Sequence, residues 1–500
     1  MMFIKCMEMR MGFVRFLVLL IAIFALFSMS ILASGFEISG VGTKARGMAG
    51  AFRSVADDWT AAYYNPAGYA RLYDSEIGAN FAFVNYRYDL DPNFYWGGIY
   101  SSGIYNDQVN YNNHEILSNP SGGFLTRLPL FGEVTTGLSV FQLFDQNNTW
   151  NLYDLPLAYN DSLTLPDDQY SVNLDVVAFQ LTVAKDISDN MSVGIGLQLL
   201  RADLIHSNIY FRTNPYYPSP IAVRPWDKVT EIAKVDGNGY GFGVNLGVLY
   251  DISEKAKLGL NAKIPFNITV DGDARLSFFQ PKISYIDSSA SDDPGTQGTA
   301  GNLFVAGAQI DNNADFESEL KLPTSFGFGL SYQLTEKFLI SFDAEYTLLS
   351  KFEGLNYTFT NHRGLSGAAD TIALVNDFFT ADLDNPVEWQ DCGKVALGML
   401  YDYNDYFTFL GGVSADQSPS RENGILTPQF IETGDTYMFN FGLIWHYRQY
   451  DFGFVTSYSS YPVLSSPLLV DENEDGIFEN MNGLYSGEFY ETVLSFNYRF

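Results

Sequence analysis

A two-residue alternation of apolar and polar side chains dominates the chain from Ser75 onward. In residues 437–447, one set of alternate positions is aromatic or aliphatic, and the other set is smaller or more polar. Residues 240–250 and 338–348 show the same pattern. Because successive side chains of a strand point to opposite faces, each segment is predicted to be a strand with one apolar face. About fourteen such strands are predicted.

The connections between these strands alternate strictly between short and long. The short connections are centred on residues 131–132, 186–190, 251–255, 335–336, 403–405 and 449–450. The long connections cover residues 91–120, 147–170, 207–237, 273–317, 353–391, 415–434 and 462–487. Short periplasmic turns and long extracellular loops alternate in this way in bacterial outer-membrane β-barrels, which also have an even number of strands.

The composition agrees with a membrane barrel. The chain is 47% hydrophobic and 16% aromatic, yet beyond its leader no segment has the ~18 consecutive apolar residues of a spanning helix. A large secreted β protein is the soluble alternative. In a barrel we expect polar side chains inside and apolar side chains outside. The last strand ends at Phe500, which resembles an assembly signal and implies the barrel-assembly machinery as a partner.

The formal net charge of −30 would repel nucleic acid, which we exclude as a partner. Of the two cysteines, Cys6 lies in the leader and Cys392 stands alone, so no disulfide framework is expected.

Residues 1–34 have the features of a signal peptide. Lys5, Arg10 and Arg15 precede the apolar run 16–32, which ends in small residues. We expect cleavage near residues 33–35. A single N-terminal membrane anchor is the alternative interpretation.

Residues 35–73 contain no sustained alternation and are rich in Gly and Ala. Small residues allow close approach of the backbone to its surroundings. Asn65-Pro66 is a turn initiator, since Pro66 fixes its own φ and disfavours a helical Asn65. This segment is predicted to lie inside the wall that the strands form.

The order of three motifs resembles the N-terminal hatch of the FadL/TodX family. These are GMAGAF at 47–52, Asp57-Asp58 and YYNPAG at 63–68. The family consists of outer-membrane transporters for long-chain fatty acids and aromatic hydrocarbons. The hatch positions that carry the resemblance are Gly47, Ala49, Gly50, Asn65, Pro66, Ala67 and Gly68. The resemblance also implies that Phe36 reaches the ligand pocket, and that ligand can leave sideways between a strand and the hatch.

The predicted fold class is therefore an all-β transmembrane protein, a closed antiparallel outer-membrane β-barrel of about 14 strands with an N-terminal hatch inside. The expected domains are a cleaved signal peptide at 1–34, a hatch at 35–73 and the barrel at 74–500. Gly137, inside the third strand, is the expected position of a kink.

The loop at 207–237 is the expected capture site for substrate. It contains Tyr210, Phe211, Arg212, Arg224 and Trp226, and a short amphipathic helix is predicted from Pro225. An exposed apolar groove with cations could hold an acyl chain and its carboxylate. Packing of these aromatic residues against neighbouring loops is the alternative.

Inside the barrel, a deeper pocket is expected to be apolar with one or two cations. Lys263 and Arg448, the latter near a tight turn at the periplasmic end, are the candidates that could pair with a substrate carboxylate. The alternative for both is an ion pair with a wall residue such as Asp343 or Glu345.

Residues 471–479 include Asp471, Asn473, Asp475 and Glu479 at the spacing of a calcium loop, but Asn482 replaces the Glu expected at the twelfth position. Calcium is thus one expectation and a solvated acidic loop the other. No other cofactor is expected. We identify no catalytic motif, and no enzymatic activity is expected.

The sequence predicts a monomer that takes up hydrophobic molecules passively, most readily long-chain fatty acids, and that contacts outer-membrane lipid. The alternatives are a structural or adhesive barrel with acidic surface loops and a polar-solute porin.

Overall fold

The computed structural model describes most of the chain after the leader. The described residues are 40–92, 95–96, 99–100, 110–113, 115–128, 133–153, 164–213, 228–280, 308–363, 377–387, 389–420, 428–430, 436–466 and 483–500.

Fourteen long antiparallel strands form the wall. The first seven are β1 (Glu76–Pro92), β2 (Ile116–Leu128), β3 (Val134–Trp150), β4 (Tyr170–Ser188), β5 (Met191–Thr213), β6 (Lys228–Ser253) and β7 (Ala256–Pro265, then Ile268–Gln280). The others are β8 (Ala308–Leu320, then Ser325–Thr335), β9 (Phe338–Thr347, then Thr358–Arg363), β10 (Cys392–Asn404), β11 (Phe407–Asp416), β12 (Thr436–Tyr447), β13 (Tyr450–Ser466) and β14 (Gly483–Arg499). Short strands at Tyr95–Trp96, Ile99–Tyr100 and Asn110–Tyr111 belong to the first long connection.

The sheet closes on itself. β1 pairs with β14 from Glu76 opposite Arg499 to Pro92 opposite Gly483, and sequence neighbours pair around the rest of the wall. Closure removes the free sheet edges whose backbone groups lipid could not satisfy. The predicted closed barrel of about fourteen strands is confirmed.

Short and long connections lie at opposite ends of the barrel, as the alternating lengths predict. β12 and β13 are separated by two residues, whereas β6 and β5 are separated by residues 214–227. We call the two rims the short-turn end and the long-loop end.

The aromatic row of β12 faces outward. Tyr437 and Phe439 are 58% and 59% exposed, whereas Met438 and Asn440 between them are buried. This orientation confirms the expected apolar exterior.

The expectation of a polar interior holds only near the short-turn end. In β4, Phe179 and Leu181 face outward while Gln180 is buried inside. Further toward the long-loop end, Val176 is fully buried while its neighbour Asp175 lies on the outer face. The prediction is therefore wrong for the outer half of the wall. Beyond the lipid, the outer face meets an aqueous environment, and the inner face packs against apolar loop side chains.

The N-terminal segment forms short helices inside the barrel. They are α1 (Thr43–Gly47), α2 (Ala61–Tyr64) and a 3₁₀ helix (Pro66–Arg71). Further 3₁₀ helices at Leu349–Lys351, Phe378–Thr380 and Pro428–Phe430 lie in the long connections. Within the described residues, we find no helix with the length and apolarity needed to cross a membrane.

Candidate functional site

The N-terminal segment at 40–73 occupies the barrel interior near the short-turn end. Most of its residues are buried, including large ones such as Trp59 and Tyr69. Its helices contact β3 to β6 on one side and β11 to β14 on the other. The segment therefore spans the lumen, as predicted for the hatch, and we call residues 40–73 the plug.

Asn65 forms hydrogen bonds both within the plug and with the wall. Its Nδ2 donates to the carbonyl oxygens of Arg53 at 2.8 Å and of Val248 in β6 at 3.0 Å. Its Oδ1 accepts from the Ala67 N–H, which caps the following 3₁₀ helix. Pro66 stands at the first position of that helix, where a missing N–H costs no hydrogen bond. The motif therefore forms a turn that is fixed to the wall.

Wall glycines make room for the plug. A Cβ at Gly247 would lie 2.2 Å from Asn65 Oδ1, and one at Gly259 would lie 2.2 Å from the Arg53 carbonyl oxygen. No side chain fits at such distances, so the plug packs directly on strand backbone. Other wall glycines in the same situation are Gly78, Gly123, Gly194, Gly327, Gly398, Gly412 and Gly453.

Two arginines of the plug form buried ion pairs with the wall. Arg46 pairs with Glu491 in β14, and both side chains are 2% exposed. Arg53 pairs with Asp343 at 3.2 Å and also with Glu345, both in β9.

The backbone of the plug strengthens the second pair. Asp343 Oδ2 accepts hydrogen bonds from the N–H groups of Phe52 and Arg53 at 3.2 and 3.0 Å. Arg53 Nε also donates to Asn261 Oδ1 at 2.8 Å. Buried charges of this kind are stable only when they are paired and hydrogen-bonded, so these contacts fix the position of the plug.

Burial also changes the acid–base behaviour of the plug. It lowers the pKa of the Arg46 guanidinium to about 10, which leaves Arg46 charged at neutral pH. Burial raises the pKa of the Asp58 carboxyl, and neighbouring Asp57 adds to the rise. Burial alone would lower the pKa of Lys44, but the adjacent carboxylate of Asp57 outweighs it, and the pKa is raised.

Lys263 faces the interior, but a carboxylate of the wall already pairs with it. Its Nζ lies 3.6 Å from Glu345 Oε1 and 3.8 Å above the ring of Tyr63. Glu345 thus forms ion pairs with both Lys263 and Arg53. This is the alternative that the sequence left open for Lys263.

Arg448 does not lie in the interior. It occupies the exposed two-residue turn between β12 and β13 with a φ of 57°, and it stacks on the ring of Tyr447 at the rim. The expectation of a lumen position is wrong, because the tight turn ends the alternation before residue 448.

The inner face of the outer half is apolar. Strands β4 to β9 contribute buried aliphatic and aromatic side chains, among them Val172, Leu174, Leu200, Leu204, Val270, Leu276 and Phe316. The long connections cover them with aromatic residues, namely Phe352, Tyr357, Phe379, Trp389 and Phe430. The interior toward the long-loop end is therefore a packed apolar region.

A hydrogen-bonded group lies within this apolar region. His206 Nδ1 is 2.8 Å from the hydroxyl of Tyr357. Gln429 Nε2 donates to the Ser207 carbonyl oxygen at 3.2 Å and to Asn208 Oδ1. Tyr210 OH donates to Asn385 Oδ1 at 3.0 Å. These contacts join β5 to two long connections.

The wall is not hydrogen-bonded along its whole height between β2 and β3. Their pairing extends only from Leu128–Val134 to Gly122–Val140, and β3 then bulges between Gln142 and Phe144. Beyond this point, the side chain of Asn119 donates to Asp145 Oδ2 at 3.0 Å. A lipid-facing concavity of about 620 Å³ lies beside this part of the wall, on β3 to β6.

The predicted kink at Gly137 is wrong. Gly137 keeps its register with both Leu125 and Thr182, and a Cβ there would lie 2.7 Å from the ring of Tyr69 in the plug. The glycine is needed for contact with the plug, and the irregularity in β3 lies at residues 142–144.

A polar cavity of about 430 Å³ lies between the plug and the short-turn end. Lys44, Asp57, Arg71, Glu76 and Arg499 are among its lining residues. Its charged lining contrasts with the apolar outer half.

An amphipathic helix is expected to begin at Pro225. This prediction is wrong from residue 228 onward, where the structure describes the chain again. Val229, Ile232 and Ala233 belong to β6, which pairs with β5 from Thr213–Lys228 onward. The β-branched residues are favourable in a strand, and the long hairpin of β5 and β6 supplies pairing partners that the local sequence does not reveal. Phe211 and Arg212 lie in β5.

Several predicted site residues lie outside the described residues. They are Phe36, Arg224 and Trp226, together with Asp471, Asn473, Asp475 and Glu479 of the predicted calcium loop. Within the described part of the chain, no group of acidic, His and Cys residues has the geometry of a metal site.

Sequence reasoning missed the plug–wall ion pairs. Arg46, Arg53 and Glu491 carry no expected role, and Asp343 and Glu345 are expected only as partners of Lys263 or Arg448. A signal was present, because Asp343, Glu345 and Glu491 stand on the polar faces of strands that were predicted to cross a membrane.

The family model described as outer membrane protein transport protein (OMPP1/FadL/TodX) matches residues 24–500. The long-chain fatty acid transport protein of Escherichia coli O6:H1 is 26% identical over 217 residues, 42% of each chain. The 47 kDa outer membrane protein of Pasteurella multocida is 24% identical over 215 residues, 42% of this chain and 43% of that protein. The matches thus span less than half of these relatives.

Solved structures show the same fold over nearly the whole chain. A FadL homologue of Pseudomonas aeruginosa superposes with a TM-score of 0.68 at 16% identity and covers 93% of this chain and 99% of its own. The toluene transporter TodX of Pseudomonas putida superposes with a TM-score of 0.65 at 14% identity and the same coverages. The fold, the plug and the family match agree, and the chain belongs to the OMPP1/FadL/TodX family of outer membrane transport proteins.

Proposed function

We propose that this chain takes up hydrophobic molecules passively across the bacterial outer membrane, and that the plug closes the barrel until it moves. In an outer-membrane protein, the long-loop end faces outward and the short-turn end faces the periplasm. The apolar lining of the outer half supports this proposal most directly. Hydrophobic molecules partition poorly into a water-filled pore, so an apolar inner surface above a plug suits them.

The named substrates of similar proteins fit this class. One relative is named for long-chain fatty acids and one structural neighbour for toluene. We propose long-chain fatty acids and aromatic hydrocarbons as the substrate range, with no enzymatic activity.

The unpaired stretch between β2 and β3 suggests where the molecule leaves. An apolar molecule that reaches the plug would meet the polar cavity if it continued along the axis, whereas a sideways path leads to lipid. We therefore propose release through the wall beside β3. Movement of the plug must be favoured by bound substrate for uptake to be coupled to opening.

The chain is proposed to act as a monomer that the barrel-assembly machinery inserts by its C-terminal strand. Calcium binding at residues 471–479 stays a prediction.

A reversible cross-link tests whether the plug must move. Thr43 Oγ1 lies 2.6 Å from Ser495 Oγ in β14, so cysteines at both positions are close enough to be joined. In a Cys392→Ser background, Thr43→Cys with Ser495→Cys should block uptake of a labelled fatty acid or labelled toluene when oxidised. A reducing agent should restore uptake.

Each single cysteine variant serves as the control, in host cells that lack their own transporter. Normal uptake with the cross-link fully formed would contradict a moving plug. The alternatives predict different results, because a polar-solute porin conducts ions in a planar bilayer with the plug in place, and an adhesive barrel gives no uptake at all.

A further inference from the structure

The buried cations of the barrel interior are already paired. Among the described residues, five cations of the plug and of the wall around it lie within 4 Å of a carboxylate, whereas Lys257, near the short-turn end of β7, is exposed. The pairs are Lys44–Asp57 at 2.6 Å, Arg46–Glu491, Arg53–Asp343 at 3.2 Å, Lys263–Glu345 at 3.6 Å and Lys394–Asp416 at 3.1 Å.

Within the described part of the chain, an anionic head group would therefore find no unpaired buried cation in this interior. The buried Asp58 adds further acid, and the whole chain carries a net charge of −30. A carboxylate that loses its water without gaining a cation is strongly disfavoured. The charge distribution therefore opposes substrates that carry a negative charge.

The outer half instead offers an unpaired hydrogen-bond acceptor. Gln429 is fully buried, and among the described residues its Oε1 has no hydrogen-bond partner. Its Nε2 donates to the carbonyl oxygen of Ser207. Because a carbonyl oxygen only accepts, the amide orientation is fixed and Oε1 is left as the acceptor.

The surroundings of Gln429 are aromatic. Phe430 lies 6.1 Å from the ring of His206 and 6.0 Å from the ring of Phe352. Phe316 meets Tyr357 edge to face at 5.4 Å. Such a setting suits an apolar or aromatic body with one hydroxyl donor.

We propose that the interior selects uncharged hydrophobic molecules, and that Gln429 Oε1 accepts a hydrogen bond from the hydroxyl of a phenol, an alcohol or a protonated carboxylic acid. This inference rests on the proposed function and narrows its substrate class. A fatty acid would pass Gln429 in its protonated form.

Three matched aromatic probes test the inference on the full chain in nanodiscs, with empty nanodiscs as background. The probes are toluene, p-cresol and 4-methylbenzoate, which share a ring and a methyl group and differ in the second substituent. At pH 7.5 we expect p-cresol to bind at least about tenfold more tightly than 4-methylbenzoate, a difference of about 1.4 kcal/mol. The difference should shrink as the pH falls toward the pKa of the benzoate, while p-cresol binding stays constant.

Two variants separate the roles of Gln429 and of the paired cations. Gln429→Met should weaken p-cresol binding and leave toluene binding unchanged, which also shows that the site still folds. Glu345→Gln leaves Lys263 without its carboxylate and should increase binding of 4-methylbenzoate relative to the native chain.

The outcomes are distinguishable. Equal binding of p-cresol and 4-methylbenzoate by the native chain at pH 7.5 would overturn this inference and leave the proposed function intact. Binding of none of the three probes would overturn the proposed function, and this inference with it.

Discussion

At the scale of single residues, the wall glycines show how the barrel accommodates its plug. Glycine in a strand interior loses packing and conformational entropy. Here the missing side chain allows the plug to lie against strand backbone, as at Gly259 and Gly247. The cost in strand stability is offset by the contact with the plug.

Gly259→Ala tests this role of the wall glycines. The added methyl group would lie 2.2 Å from the Arg53 carbonyl oxygen, so the plug must shift while the strand ladder of β7 stays intact. We expect higher ion conductance in a planar bilayer, with unchanged heat-modifiable migration of the folded barrel on a gel.

Gly393→Ala is the matched control, because its Cβ would have no atom closer than 3.4 Å. If both variants conduct as little as the native chain, the close contact at Gly259 does not hold the plug in place.

At the scale of elements, single strands change the polarity of their two faces along their length. In β4, the outer face carries Phe179 and Leu181 near the short-turn end and Asp175 further toward the long-loop end. The inner face changes in the opposite sense, from Gln180 to Val176. We expect this change to mark where the outer face leaves the apolar part of the bilayer.

Arginine substitutions on the two sides of this boundary should differ in their effect. Phe179 is 46% exposed on the outer face, and Phe179→Arg should cost about 2–4 kcal/mol if that position lies deep in the bilayer. Asp175→Arg, four residues away on the same face, should change the free energy of unfolding by much less. Reversible urea unfolding in lipid vesicles measures both. Equal costs for the two variants would mean that the boundary is placed wrongly.

At the scale of the whole molecule, the plug and the barrel are two units that buried ion pairs hold together. The barrel closes through its own strand pairing, whereas the plug depends on contacts such as Arg46–Glu491 and Arg53–Asp343. We therefore expect that the plug can be loosened without unfolding the wall.

Glu491→Gln should loosen the plug selectively. It leaves the Arg46 charge buried without its partner, and loss of one partner of a buried pair costs about 3–5 kcal/mol. We expect faster hydrogen exchange and proteolysis within residues 40–73, while exchange in the strands of the wall stays slow. The double variant Arg46→Met with Glu491→Leu should restore protection, since it removes both charges.

Glu488→Gln is the control, because Glu488 lies on β14 on the exposed outer face and hydrogen-bonds Tyr458 and Tyr490. Uniform loss of protection across plug and barrel in Glu491→Gln would show that the two units are not separable.

The sequence alone predicted the barrel and its number of about fourteen strands, because these follow from a local two-residue period and from connection lengths. The period shows that each strand has one apolar face, and the structure shows that the aromatic row of β12 points outward. It also indicated the plug, through the lack of strand alternation in residues 35–73 and the resemblance of the motifs at 47–52 and 63–68 to the hatch of the family. Only the tertiary structure decided which charges meet, because Arg53 and Asp343 are separated by 290 residues and no local pattern joins them. The same holds for how far the apolar interior extends and for the position of Arg448, which depend on where each strand ends and on which loops cover it.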